Sequence, residues 1–209
     1  MKDLLTLTQW LSPSFPVGAF AFSHGLETAI GEGRVNDAAG LEAWLLDLLR
    51  HGSGRSDVVL LAAAYGADDL DEVQTYALAF QSSLERREET VQLGAAFCRT
   101  VRDVWGLALP DLAYPVAVGR AARLRQIAVE DAAAVYAQSF VSNLVSAAVR
   151  LVPLGQTEGQ AVLARLQNAC VALGQSAPDL SLDDLASAAF MSDIQAMRHE
   201  TLSPRIFQS

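Results

Sequence analysis

Residues 136–151, YAQSFVSNLVSAAVRL, carry the pattern that decides the fold. Apolar side chains recur there at positions i, i+4, i+8, i+11 and i+15, namely Tyr136, Phe140, Leu144, Ala147 and Leu151. Because a helix turns once in 3.6 residues, this spacing places them on one face, whereas a strand would require alternation. The stretch therefore predicts an amphipathic helix against a core, which Pro153 and Gly155 terminate.

The same spacing continues on both sides of this stretch. Asp37 predicts a helix start and Gly52 its end, and Ser82 or Ser83 predicts the start of a longer helix that runs to about 105. Gly94 lies inside that longer helix, where glycine is costly unless another backbone packs against it. Further helices are predicted over 57–67, from Asp68 or Asp69 onward, over 158–173 and over 182–197.

Strand-like alternation is nearly absent, and no linker or repeat divides the chain. We therefore predict an all-α fold, a single compact domain of about eight to ten helices over residues 1–198, followed by an extended tail over residues 199–209. The length of 209 residues with 51% apolar and 19% charged residues excludes a disordered chain. The longest apolar runs, such as 58–65, are shorter than the roughly 18 residues of a spanning helix.

Charge and cysteine content narrow the function classes. The net charge is −9 and Lys2 is the only lysine, so no basic stripe for nucleic acid is present. Cys98 and Cys170 are far apart and predict buried thiols in a reducing compartment. No basic segment leads into an apolar stretch at the N-terminus, so we expect no signal peptide and a cytoplasmic protein.

Catalytic motifs are sparse. His24 and Glu27 stand at i and i+3 and could share a helix face, which leaves open a metal-binding helical protein as an alternative, beside a surface histidine next to a glutamate. His199 and Glu200 lack the spacing of a helical zinc site. The chain also contains neither a glycine-rich phosphate loop nor a nucleophile elbow.

Three segments are unusual for core packing alone. The first, 12–18, contains two prolines and a glycine, and its simpler interpretation is a helix corner with Phe15, Phe20 and Phe22 in the core. The second, 150–160, places Arg150 at the end of an apolar helix before Gln156 and Gln160, which could instead cap helix ends. The third, 198–207, mixes charged and apolar residues at a chain end.

Together these segments resemble the UreF family of urease accessory proteins. The family signature S-P-x-x-P-V-G-x-F-x-[YF]-S-x-G-L-E is matched by Ser12, Pro13, Pro16, Val17, Gly18, Phe20, Phe22, Ser23, Gly25, Leu26 and Glu27. The motif R-L-x-P-L-G-Q-x-x-G-Q is matched by Arg150, Leu151, Pro153, Leu154, Gly155, Gln156, Gly159 and Gln160. The ending H-E-T-x-Y-S-R-L-F-x-S is matched by His199, Glu200, Thr201, Arg205, Phe207 and Ser209, with Ser203, Pro204 and Ile206 as departures.

The resemblance implies a helical, non-enzymatic dimer that joins UreD (also called UreH) to the GTPase UreG, so that nickel reaches apo-urease. It implies no cofactor for this chain, because the partner GTPase handles GTP and the assembled complex handles nickel. Its tail residues would order on binding UreD/UreH, and these are Arg198, His199, Glu200, Arg205 and Phe207. Residues expected to face the GTPase are Ser23, Glu27, Arg150, Gln156 and Gln160. The motif residues with a structural role would be Ser12, Pro13, Pro16, Gly18, Gly25, Gly155 and Gly159.

Overall fold

Ten α-helices and three 3₁₀ turns make up the fold, which a computed structural model describes over residues 1–209. The helices are α1 Lys2–Trp10, α2 Leu26–Gly31, α3 Ala38–His51, α4 Ser53–Gly66, α5 Asp71–Ala79, α6 Leu84–Trp105, α7 Tyr114–Leu124, α8 Val129–Leu151, α9 Gln156–Ser176 and α10 Phe190–His199. The 3₁₀ turns are Ala19–Ala21, Ala177–Asp179 and Leu182–Asp184. The structure contains no strand, which confirms the all-α prediction.

Helix α8 lies at the centre of the core. It packs along α9 and also contacts α1, α2, α3, α4 and α7. The apolar face predicted from the sequence is buried, with Leu144 fully enclosed and Tyr136 4% exposed. Burial of such a face against several helices supplies most of the stability of a helical domain, because isolated helices are marginal in water.

Helix α8 is also long and apolar enough, by length and composition, to cross a membrane. The sequence analysis measured uninterrupted apolar runs, whereas α8 meets this criterion on its average hydropathy. More than half of its most apolar stretch is buried against other helices. A core helix that is buried on several sides can be apolar enough to meet the same criterion.

Several local signals act as predicted. The Asp37 carboxylate accepts a hydrogen bond from the Gly40 amide, and Gly52 ends α3. Ser83 caps α6 by accepting from the Arg86 amide. At Gly94 a Cβ would lie 1.9 Å from the Leu112 carbonyl oxygen, so glycine permits the close backbone approach that its position suggested.

Other boundaries differ from the predictions. The helix expected over 57–67 begins earlier, at Ser53, directly after Gly52. The helix expected over 182–197 is divided, because the Asp184 carboxylate accepts from the Ser181 amide and closes a separate 3₁₀ turn. Between that turn and α10, the amides of Ala188 and Ala189 donate to the His51 carbonyl oxygen and not to a helical partner.

Candidate functional site

The C-terminal segment, residues 200–209, follows α10 and folds back over α2 and α6. The Glu27 carboxylate binds backbone amides of this segment. Its Oε1 accepts from the Ile206 amide at 2.7 Å and its Oε2 from the Phe207 amide at 2.9 Å. The Phe207 ring is 3% exposed, while the Ile206 side chain is 70% exposed. The segment is therefore anchored by backbone and one aromatic ring, with neighbouring side chains facing solvent.

His199 joins this anchor to α6. Its Nε2 lies 3.2 Å from Glu27 Oε2 and its Nδ1 lies 2.7 Å from Glu85 Oε2, in a position that is fully buried. Both ring nitrogens of His199 therefore lie within hydrogen-bond distance of a carboxylate oxygen. The other oxygen of Glu85 pairs with the Arg205 guanidinium. His199 thus lies between Glu27 and Glu85, and Glu85 also binds Arg205.

Ser209, at the end of this segment, is bound by Ser23 and Glu89. The Ser23 amide donates to the Ser209 carbonyl oxygen at 2.7 Å, and the Ser209 hydroxyl donates to Glu89 at 2.7 Å. Gly25 lies beside this contact with a φ of +75°, and a Cβ there would lie 2.5 Å from the Ala196 amide nitrogen of α10. Glycine is required at Gly25 by both the backbone angle and the contact.

Arg150 reaches the same segment from the end of α8. Its guanidinium lies 5.9 Å from the centre of the Phe207 ring, within the range of a cation–π contact. Gln156 and Gln160 are exposed in the first turns of α9, immediately after the break that follows α8. The predicted capping role belongs instead to Glu158, whose carboxylate accepts from the Gly155 amide.

The C-terminal segment lies above a cluster of buried charges. Arg86 and Glu89 form an ion pair one turn apart on α6, and both are under 5% exposed. Asp57 accepts from the Tyr136 hydroxyl at 2.9 Å, and His24 Nε2 lies 2.8 Å from Glu89 Oε1. We call these five residues the buried charge cluster.

Burial and neighbouring charges shift the pKa values of the carboxyl groups in this cluster in opposite directions. Burial raises the pKa of Asp57 to about 6, although Arg86 and Tyr136 act in the other direction. Burial alone would raise the pKa of Glu89 too, but Arg86 and His24 lower it to about 2. Burial and Arg86 lower the pKa of His24, so its ring is neutral at pH 7 and its contact with Glu89 is a hydrogen bond.

A small cavity of about 30 Å³ lies beside the buried charge cluster, between α6 and α8. Its lining includes His24, Tyr114 and Asn143. His24 Nδ1 is buried and has no hydrogen-bond partner within the chain. A polar cavity of this size is large enough for a water molecule.

The alternative of a metal site at His24 and Glu27 fails on geometry. His24 lies before α2 in a left-handed backbone conformation, with a φ of 56°, and therefore shares no helix face with Glu27. His24 faces Glu89, whereas Glu27 faces His199 and the backbone of the C-terminal segment. No group of three or more His, Cys, Asp or Glu side chains is placed to hold a metal ion.

The structure brings together two sets of residues that the sequence analysis treated as separate faces. Arg150 and Glu27, expected towards the GTPase, touch Phe207 of the tail. Four residues expected at partner surfaces are buried within the chain, and these are Ser23, Glu27, His199 and Phe207. The exposed ones are Arg150, Gln156, Gln160, Arg198, Glu200 and Arg205.

Exposed tail residues also have partners within the chain. Arg198 forms an ion pair with Glu32, and Glu200 accepts from the Leu84 amide.

The motif residues expected to have a structural role lie in the N-terminal loop and at the α8–α9 contact. In the N-terminal loop, Gly18 has a φ of +84° and the hydroxyls of Ser12 and Ser14 lie 2.7 Å apart. In the same loop, Pro13 and Pro16 are exposed. At Gly159 a Cβ would lie 3.0 Å from Val145, where α8 and α9 pack.

The sequence analysis was wrong about Phe20 and assigned no site role to five residues of this region. Phe20 was expected in the core with Phe15 and Phe22 but is 61% exposed, because the 3₁₀ turn that carries it lies at the surface. The sequence reasoning also missed Glu85, Arg86, Glu89, Asp57 and Tyr136. The spacing of Arg86 and Glu89 could have indicated an ion pair, but only folding shows that both are buried.

Comparison with known proteins identifies the same family that the three sequence motifs resemble. A model of the UreF family matches residues 35–167. The chain is 51% identical to the urease accessory protein UreF of Roseobacter denitrificans, over 98% of this chain and 93% of that protein. It is 50% identical to that of Cereibacter sphaeroides, over 100% and 99%, and 47% identical to that of Ruegeria pomeroyi, over 100% and 97%. With a family match over more than half its length and full-length relatives at this identity, the chain belongs to the UreF family of urease accessory proteins.

Proposed function

We propose that this chain bridges UreD/UreH and the GTPase UreG, and that the bridged assembly supports GTP-dependent nickel insertion into apo-urease. Membership of the family gives the chain a role in urease maturation. The observation that carries the finer proposal is the contact between Arg150 and Phe207, at 5.9 Å. It joins the surface assigned to the GTPase with the segment assigned to UreD/UreH.

The surface beside the C-terminal segment supports a partner role. Ile206 is 70% exposed directly beside the anchored Phe207. On α10, four apolar side chains also face outward on one side of the helix, and these are Phe190, Met191, Ile194 and Met197. Exposed apolar side chains concentrated in this way commonly mark a protein interface. We assign it to UreD/UreH, with Arg198, Glu200 and Arg205 as its polar rim.

We further propose that the chain has no catalytic role, holds no cofactor and acts in the cytoplasm as a homodimer. The charged groups that could have served chemistry are engaged with one another and with the C-terminal segment. In this proposal UreG handles GTP, and nickel passes through the assembled complex as its cargo.

The UreD/UreH side is tested by co-purification with a tagged Ile206→Asp variant. Truncation of the tail is a poor test, because it also removes the buried Phe207 ring. The Ile206→Asp change leaves its amide free to bond Glu27 and alters only the exposed side chain. Loss of UreD/UreH with an unchanged thermal melt supports the proposal. Val104→Asp, also at an exposed apolar site (63%), is the matched control.

The GTPase side is tested with Arg150→Glu, and with Arg99→Glu as the control at another exposed arginine. We expect Arg150→Glu to retain UreD/UreH but to lose UreG recruitment and urease activation. If Arg150→Glu and the wild-type chain recruit UreG equally, the assignment of Arg150 to the GTPase surface is wrong. If neither partner binds the wild-type chain, the bridging proposal itself fails.

A further inference from the structure

A second surface feature lies away from the C-terminal segment. A groove of about 610 Å³ opens between the end of α4, the start of α5 and the segment 177–183. Most of its lining is apolar, including Tyr65, Val73, Val129, Leu180 and Leu182. A groove with a mainly apolar floor can accept apolar side chains of another molecule.

The segments that form the groove carry concentrated negative charge. Residues 62–73 and 177–184 contain no Lys, Arg or His but hold seven of the 24 acidic residues of the chain. These seven are Asp68, Asp69, Asp71, Glu72, Asp179, Asp183 and Asp184. Three of them, Asp69, Glu72 and Asp183, belong to the lining itself.

Part of this charge has a structural role. Asp68 pairs with Arg123 at 2.6 Å, and Asp184 accepts from the Ser181 amide. The Asp69 carboxylate accepts from the Asp71 amide at the start of α5, where negative charge is favourable. Glu72 and Asp183 are exposed and their carboxylates make neither an ion pair nor a hydrogen bond within the chain. Arginines also reach these segments, since Arg120 donates to the Ala67 carbonyl oxygen and Arg55 to that of Asp184. They form no ion pair with Glu72 or Asp183, which leaves these two carboxylates without an ionic partner at the rim of the groove.

We propose that this groove docks a cationic, partly apolar segment of a different protein. Apolar side chains would cover the groove floor while Lys or Arg side chains meet Glu72 and Asp183 at the rim, an arrangement that combines burial with charge complementarity. The occupant is assigned to a different protein because Lys or Arg side chains are needed at the rim, and this chain has a single lysine, Lys2. The surface is distinct from the C-terminal segment and its apolar surroundings.

The test selects short random peptides from a displayed library on the full-length chain. The selected peptides are then measured by fluorescence anisotropy against Glu72→Lys/Asp183→Lys. Glu88→Lys/Asp103→Lys is the matched control, because it also replaces two exposed acidic residues. Each substitution adds two charge units, so both variants go from −9 to −5. Far-ultraviolet circular dichroism checks the fold of both, and Glu72→Gln/Asp183→Asn provides a milder variant.

We expect the selected peptides to combine Arg or Lys with apolar residues and to bind more weakly as salt is added. Their affinity should fall roughly tenfold for Glu72→Lys/Asp183→Lys and stay within twofold for the control. The proposal is overturned if no selected peptide distinguishes the two variants, or if the selected peptides are acidic. It is also overturned if sedimentation shows that only Glu72→Lys/Asp183→Lys changes self-association, because the occupant would then be a second copy.

Discussion

Substitution of Glu27 by Gln tests the anchoring of the C-terminal segment. The carboxylate presents two oxygens to three donors, namely the amides of Ile206 and Phe207 and the His199 ring. A glutamine has the same shape but only one oxygen. In either orientation of its amide group, one backbone N–H of the segment therefore faces an NH₂ group and loses its acceptor.

The expected cost follows from this geometry. Hydrogen bonds to a charged group contribute about 1.5–3 kcal/mol, against about 0.5–1.5 kcal/mol for neutral ones, and a buried donor without a partner costs about 1–3 kcal/mol. The closed position of the segment should therefore lose about 2–5 kcal/mol in Glu27→Gln. Because each 1.4 kcal/mol is tenfold, the opening equilibrium should rise roughly 30-fold to a few thousandfold.

Amide hydrogen exchange at Ile206 and Phe207 measures this opening directly. We expect both amides to exchange faster in Glu27→Gln by the factor given above, while amides in the middle of α8 change much less. Glu88→Gln removes an exposed carboxylate on α6 and is the control. Exchange at Ile206 and Phe207 within threefold of the wild-type rate would refute the argument that Glu27 holds the segment.

Two further predictions concern the surroundings of this anchor. Gly25→Ala should lower the free energy of unfolding by about 2–5 kcal/mol in urea denaturation, because a Cβ would lie 2.5 Å from Ala196 at a φ of +75°. Gly18→Ala has a similar φ but open space around it, so it should cost only about 1–2 kcal/mol, and equal costs would contradict the role of the α2–α10 contact. The raised pKa of Asp57, about 6 against 3.8, means that the native state binds this proton more tightly than the unfolded state. Its contribution to stability is therefore complete below about pH 4 and is lost as the pH rises through 6, by about 3 kcal/mol. Asp57→Asn should remove this part of the pH dependence, and a difference from wild type that stays constant between pH 4 and 7 would show that Asp57 does not titrate in this range.

The anchored segment bears directly on the proposed function. Glu27, His199 and Phe207 fix the position in which Arg205 and Ile206 are presented at the surface. Weakening the anchor should therefore reduce partner binding without a change at the partner surface. The Glu27→Gln variant should thus show weaker UreD/UreH co-purification together with faster exchange, whereas Ile206→Asp should weaken co-purification alone.

Much of the helical framework follows from local rules. Helix α8 is predicted by its apolar spacing, and the start of α3 by Asp37, because a helix period and a capping carboxylate act within a few residues. The division between the 3₁₀ turn at Leu182–Asp184 and α10 escapes such rules. It depends on the His51 carbonyl oxygen, which binds the amides of Ala188 and Ala189 from a distant part of the chain.

The sequence by itself determined the fold class, most helices and the family, since these rest on periodicity and on three motif blocks in order along the chain. Only the tertiary structure decided that Glu27 and Arg150 meet Phe207, and that Glu89 binds both His24 and Ser209. The members of each pair are separated by tens of residues or more, and nothing in the sequence indicates that they meet. Their environment depends on how α2, α6, α8 and α10 pack, and no local pattern along the chain specifies that packing.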